Sequence, residues 1–284
     1  MKLSIGTAQF GFNYGICNKT GVVKKKEVLK ILKFSRNNKI KNLDTAQGYG
    51  ISQKILGLCG VKDFDITTKL SSINNLSKNK LNNNLKFSIN SIFKDLKIKK
   101  LHSLLIHNSS ILNGKLGKIL YEELKSFKKN QKISKIGVSV YTVKELEKLI
   151  NKYELDIINI PFSVANNSFA DKKILKKLKS KKIEVHVRSV FLQGLLLNDI
   201  QDLPKKLSKL TFFSQWHKWL ENNKYNALEA SLAFVKNVKE IDKIIVGVDN
   251  LDQLKGIVKA YKCKKKFKFV YFKKNKLLRN PSLW

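Results

Sequence analysis

The stretch NLDTAQGYG (residues 42–50) runs from an apolar start into an aspartate and then sets a tyrosine between two glycines. Two later apolar runs end in the same manner. FDITTKL (64–70) carries Lys69 next to its end, and LHSLLIHN (101–108) carries His107. Asp44, Tyr49, Lys69 and His107 therefore recur at equivalent places in three successive segments. Brought to one point, they would form a proton donor for a carbonyl oxygen. A phenol titrates near pH 10 and is a poor acid at neutral pH unless its anion is favoured. A neighbouring ammonium favours it by direct charge attraction. A half-buried ammonium needs a counter-ion, which the aspartate supplies, and an imidazole nitrogen can orient the substrate oxygen. Taken singly, each residue has a plainer role: Asp44 as a helix cap, Tyr49 as a loop aromatic, Lys69 as one lysine of many, His107 as a core histidine. The chemistry resides in the combination.

Convergence requires elements that aim these ends at one place. Eight short apolar runs occur, at 3–9, 41–46, 64–70, 101–108, 135–141, 156–162, 184–190 and 242–248. Between them lie lysine-rich segments with apolar residues near the helical period, such as Val22, Val23, Val28, Leu29, Ile31 and Leu32 in the first and Leu85, Phe87, Ile89, Ile92 and Phe93 in the third. Apolar strands alternating with helices predict an α/β fold with a parallel sheet covered by helices. Eight such units fit a closed (β/α)8 TIM barrel, in which strand ends meet at one mouth. An open doubly wound sheet would want a GxGxxG loop after the first strand, and SIGTAQFGFNYG lacks that spacing. No Pro-, Gly- or Ser-rich linker divides the chain, so one domain over 1–284 is expected. The longest connection, 198–225, includes the helical SKLTFFSQWHKWLENN, where Trp216 and Trp219 lie three apart and should face the core.

The formal charge of +36 predicts attraction of anions but no specific nucleic-acid partner. Arginine, the better base and phosphate reader, occurs only at 36, 188 and 279, and the lysines are spread over every helical segment. No stretch of about 18 uncharged apolar residues predicts a membrane span, and the N-terminal apolar run is too short for a signal peptide. Cys17, Cys59 and Cys263 lack metal or disulfide spacing, so reduced thiols, no metal and a cytoplasmic location are expected.

With DTAQGYG, TTKL and LLIHN in this order, the chain resembles the aldo/keto reductase family, as a bacterial member. The likeness extends from IGTAQFG through KIGVSVY and VRSVFLQGLLL to IIVGV. It implies a barrel that reduces an aldehyde or ketone with bound NADPH, NADH being possible, and without metal. Hydride would come from the nicotinamide and the proton from Tyr49. Ser139 matches the serine that holds the nicotinamide carboxamide, although Val140 replaces the asparagine that usually follows. Asn159 stands for the usual glutamine. Arg188 stands where many members stack a tyrosine, and Ser189 follows it. Gly247, Val248, Asp249 and Gln253 match the segment against the adenosine phosphate, with helix N-terminal amides expected to be available there. Basic residues of members selective for the 2′-phosphate are absent from these positions, and Asp249 would repel a phosphate. Gly6, Thr7 and Ala8 match a backbone that approaches the cofactor. Pocket walls are expected from Phe10, Phe12 and Tyr14, the loop near Tyr49, Ser109–Ser110 and the C-terminal tail, with Trp284 packed on the barrel exterior. The rival reading is a non-catalytic nucleotide sensor or accessory subunit on the same barrel.

Overall fold

Alternation of side chains along each strand decides the architecture. In a computed structural model describing residues 1–71, 78–273, 275–279 and 284, the eight runs form strands. They are β1 (Leu3–Gly6), β2 (Asn42–Asp44), β3 (Asp65–Leu70), β4 (Leu101–Ile106), β5 (Ile133–Ser139), β6 (Ile157–Pro161), β7 (Glu184–Arg188) and β8 (Lys243–Gly247). They pair in chain order, all parallel, and β8 closes on β1. The helices are α1 (Lys25–Asn37), α2 (Ser52–Cys59), α3 (Lys78–Leu96), α4 (Lys115–Lys129), α5 (Val143–Lys152) and α6 (Lys172–Ser180), followed by α7 (Lys205–Ser208), α8 (Thr211–Asn222), α9 (Ala227–Lys236) and α10 (Leu251–Lys262). This is the expected single-domain (β/α)8 barrel.

One strand face, including Ile5, Leu43, Ile66, Leu104, Ile136, Ile158, Val185 and Ile244, is buried in the main core, together with Val28, Ile31 and Leu32 of α1 and their counterparts on the other helices. By the register and the two-residue period, the alternate positions point into the barrel, and many are polar. Ser4 donates to Asn42 at 2.6 Å, Thr67 to Ser103 at 3.4 Å, and the wholly buried His186 meets Glu184 at 3.2 Å. The interior thus departs from the branched apolar layers usual in such barrels.

The strands are shorter than the apolar runs. The run 41–46 contributes only Asn42–Asp44, so Asp44 is the last residue of β2, and His107 lies one residue beyond β4. Three helical-face expectations shift: Val22 lies ahead of α1 and is exposed, Leu29 is partly outside, and Phe87 on α3 is 75% exposed. α5 begins with a capping box, Thr142 accepting from Glu145 N–H while Glu145 reaches back. At the seam of α2 and α3, Gly57 permits a backbone contact, since a Cβ there would stand 2.0 Å from the Asp95 carbonyl oxygen. Gly57→Ala is therefore expected to cost about 1–3 kcal/mol by overpacking, read as a lowered midpoint in urea unfolding; an unchanged midpoint would show that the seam yields freely.

A second cluster lies around α8. Trp216 and Trp219 are buried, as expected, and stack at 5.3 Å, with Phe212, Phe213 and Phe272 around them. Trp284 packs against this cluster and donates to the Leu277 carbonyl at 2.7 Å. The tail residues 280–283 lie outside the described residues. No described helix is long and apolar enough to cross a membrane. All three cysteines are free thiols, and no group of three or more His, Cys, Asp or Glu among the described residues could hold a metal ion.

Candidate active site

The seam of β1 and β2 fixes the first group. The Asp44 carbonyl accepts from Thr7 N–H at 2.9 Å and from the Thr7 hydroxyl at 3.1 Å. Its carboxylate faces inward, where Lys69, a wholly buried side chain on β3, donates to Oδ1 at 2.5 Å and to the Thr45 carbonyl at 3.0 Å. Asn159 on β6 donates to Oδ2 at 3.3 Å. Tyr49 sits in the tight turn between β2 and α2, which is closed by Tyr49 N–H to the Ala46 carbonyl and Ser52 N–H to the Tyr49 carbonyl. Lys69 Nζ stands 5.1 Å from the centre of the Tyr49 ring, and that ring meets His107 edge-on at 6.1 Å. The four residues singled out from the sequence thus lie together at one end of the barrel.

Burial governs their electrostatics. It pushes the Lys69 ammonium down, opposed by the Asp44 carboxylate and its hydrogen bond. His107 is lowered to about 4, by burial first and then by the Lys69 and Arg188 charges, so it is a neutral imidazole at pH 7. The Tyr49 phenol is raised, by burial and then by Asp44, with Arg188 pulling the other way. The acidified phenol expected from the sequence is therefore not the net state of the site. Loss of solvation around its anion outweighs the nearby positive charge. A second phenol, Tyr14, is raised to about 12, chiefly by burial.

Around this group lie the ends of β5 to β8 and β1. Ser139 and Asn159 are register neighbours, and Asn159 Oδ1 is buried without a partner among the described residues. The Arg188 guanidinium lies 4.3 Å over the Tyr141 ring, with Nη2 3.5 Å from Ser139 Oγ and 3.4 Å from the Val140 carbonyl. Ser189 turns the chain away in a left-handed conformation, φ 60°. Gly6 and Gly247 pair across β1 and β8, and a Cβ at 247 would fall 2.4 Å from the Gln9 amide nitrogen. Gln9 thus occupies the space that a side chain at 247 would need. Ala8 and Val248 are buried, and the Thr7 hydroxyl is committed to Asp44.

The start of α10 differs from expectation. Leu251 N–H donates to Glu27 of α1 at 2.8 Å, Gln253 N–H to the capping Asn250 at 2.9 Å, and Asp249 N–H to Gln253 Oε1 at 2.7 Å. Those amides are not free for a phosphate. Carboxylate and amide side chains settle on the electropositive helix end instead. Asp249 Oδ1 is buried without a partner among the described residues, and burial raises its carboxyl. Two pocket-wall expectations also change. Phe10 is fully buried in the main core, and Ser109 is buried and hydrogen-bonded to Glu145, which leaves Ser110 exposed. Phe12 lies 6.2 Å from Tyr49 and 5.4 Å from Tyr14, ring centre to ring centre. Tyr141, Gln9 and Glu27 were not among the sequence candidates. Tyr141 follows Ser139 by two positions and could have been flagged as an aromatic at a strand end. Glu27 carries no such signal.

The model of the aldo/keto reductase family matches residues 2–270. Among solved structures, aldo-keto reductase AKR11C1 from Bacillus halodurans, in its holo form, superimposes with a TM-score of 0.72 at 15% identity over 94% of this chain and 88% of that one. Glycerol dehydrogenase AKR11B4 from Gluconobacter oxydans gives a TM-score of 0.69 at 17% identity, with coverage of 94% and 88%. At these identities the likeness is one of fold. No curated protein matches the chain in sequence.

Proposed function

The chain belongs to the aldo/keto reductase family, and from that premise we propose that it is an NAD(P)H-dependent oxidoreductase reducing an aldehyde or ketone to an alcohol, with Tyr49 as proton donor. The observation that carries this reading is the buried Lys69–Asp44 pair set beside the Tyr49–His107 edge. A nicotinamide dinucleotide held at this mouth would supply the hydride for the carbonyl carbon. Tyr49 gives its proton to the carbonyl oxygen as negative charge develops there. A phenol raised by burial stays protonated at rest and still transfers its proton readily to an alkoxide, which is far more basic. Lys69 compensates the charge left on the phenol oxygen, and Asp44 holds the ammonium in place. Neutral His107 orients the carbonyl oxygen by a ring hydrogen bond.

The strand ends suit a dinucleotide. Asn159, in the middle of β6, and Asp249, two residues beyond β8, each present a buried oxygen without a partner among the described residues. Such acceptors match an amide N–H and ribose hydroxyls. Ser139, Asn159, Arg188 and Ser189 would hold the nicotinamide end. Gly6, Thr7 and Ala8 would lie along the middle, and Gly247, Val248, Asp249 and Gln253 would hold the adenosine end. Although the family expectation is NADPH, the acidic Asp249 and Glu27, the committed helix amides and Gln9 against Gly247 favour the unphosphorylated NADH. Titration followed by the dinucleotide's own fluorescence is expected to give NADH at least roughly tenfold tighter binding, about 1.4 kcal/mol, with Asp249→Ser narrowing the gap. Equal or tighter binding of NADPH would remove this assignment.

A nucleotide sensor without turnover has no use for a buried ion pair beside a phenol. Loss of reduced dinucleotide in the presence of a panel of aldehydes separates the two readings; tight binding with no consumption of any aldehyde would favour the sensor.

A further inference from the structure

The charges around Tyr49 do not cancel. Lys69 is neutralised by Asp44 at 2.5 Å. His107 is neutral at pH 7, and both phenols are protonated. Arg188 remains, half-buried, and forms no ion pair among the described residues. It ends β7 as Ser139 ends β5 and Asp44 ends β2, and its Nη2 lies against Ser139 and Val140, which places the guanidinium at the same mouth; its charge is felt by Tyr14, Tyr49, His107 and Lys69. Of its five N–H donors, only those of Nη2 have partners among the described residues, and these lie at 3.4 and 3.5 Å, the long edge of hydrogen bonding. Tyr141 covers one face and fixes the orientation. The Tyr14 hydroxyl, in the same field, makes no hydrogen bond among the described residues.

A partly desolvated guanidinium without a counter-ion is costly, and its planar fork matches an oxyanion. Resting on the carbonyl-reductase reading, we infer that the substrate carries a carboxylate or phosphate that seats on Arg188, assisted by the Tyr14 hydroxyl, while its carbonyl faces Tyr49. The chain's net charge of +36 steers such an anion toward the mouth. The dinucleotide pyrophosphate is the other source of an oxyanion, and the test separates the two.

The probes are 2-, 3- and 4-carboxybenzaldehyde, each paired with the methylbenzaldehyde of the same substitution. For at least one isomer, kcat/KM for the acid is expected to exceed that for its uncharged partner by roughly 10- to 100-fold, the weight of one charged hydrogen-bonded contact. Arg188→Met brings this ratio near one, mainly through KM, and Tyr14→Phe lowers it by a smaller factor. Fluorescence titration of each variant with the dinucleotide accompanies the kinetics. Methylbenzaldehydes reduced as well as all three acids by the wild type would overturn the inference and leave the reductase reading standing. An unchanged ratio in Arg188→Met with weakened dinucleotide binding would assign the guanidinium to the dinucleotide alone, and the inference would fall. No turnover of any carbonyl compound would remove both.

Discussion

Tyr49→Phe is expected to lower kcat by roughly 100- to 10,000-fold, the usual weight of a positioned general acid, with little change in dinucleotide affinity. The substitution removes one oxygen and keeps the ring. The edge contact with His107 and the Lys69 ammonium over the ring both survive it, so the variant should fold as the wild type does. Whatever is lost is then the proton. Single-turnover reduction of a good aldehyde, run beside a fluorescence titration, separates the two quantities. Reduction at the wild-type rate would take Tyr49 out of the chemistry.

Lys69→Met carries the second large effect, and it is a double one. The ammonium is wholly buried against Asp44, so its removal leaves a carboxylate enclosed with only Asn159 as a side-chain donor among the described residues. Breaking a buried pair from one side typically costs about 3–5 kcal/mol, and turnover should fall together with stability. Adding Asp44→Asn removes the orphaned charge. The double variant is expected to regain much of the stability while staying inactive, a non-additive cycle of the kind that residues in contact produce. Urea unfolding and aldehyde reduction on all three variants check this. A single variant as stable as the wild type would mean the pair contributes nothing to the fold, and a double variant with restored turnover would free the lysine from its assigned role.

The barrel and the four-residue cluster were legible for a common reason. Side chains that end successive parallel strands must meet, so Asp44, Lys69 and His107 could be placed together from their positions in three apolar runs alone. Tyr49 follows because the turn after β2 is short. The remainder depends on contacts between distant parts of the chain or on fine rotation of helices. Glu27 reaches the Leu251 amide from the first helix to the last. Gln9 fills the space beside Gly247. The resemblance stacks Arg188 on the nicotinamide, whereas its contact with the Tyr141 ring follows only from the meeting of β5 and β7 at a common mouth. Phe10 and Phe87 exchanged expectations for a local reason: a short turn buries the first, and the phase of α3 leaves the second outside. The phenol's direction of shift also escaped prediction, because enclosure is a property of the packed site and no residue spacing encodes it.

All three tryptophans of the chain sit in the aromatic annex around α8. Their ultraviolet emission is therefore a gauge of whether the C-terminal segment remains attached, and a poor witness of events at the mouth. Denaturation curves followed at that wavelength report on this annex and need a second probe for the barrel mouth.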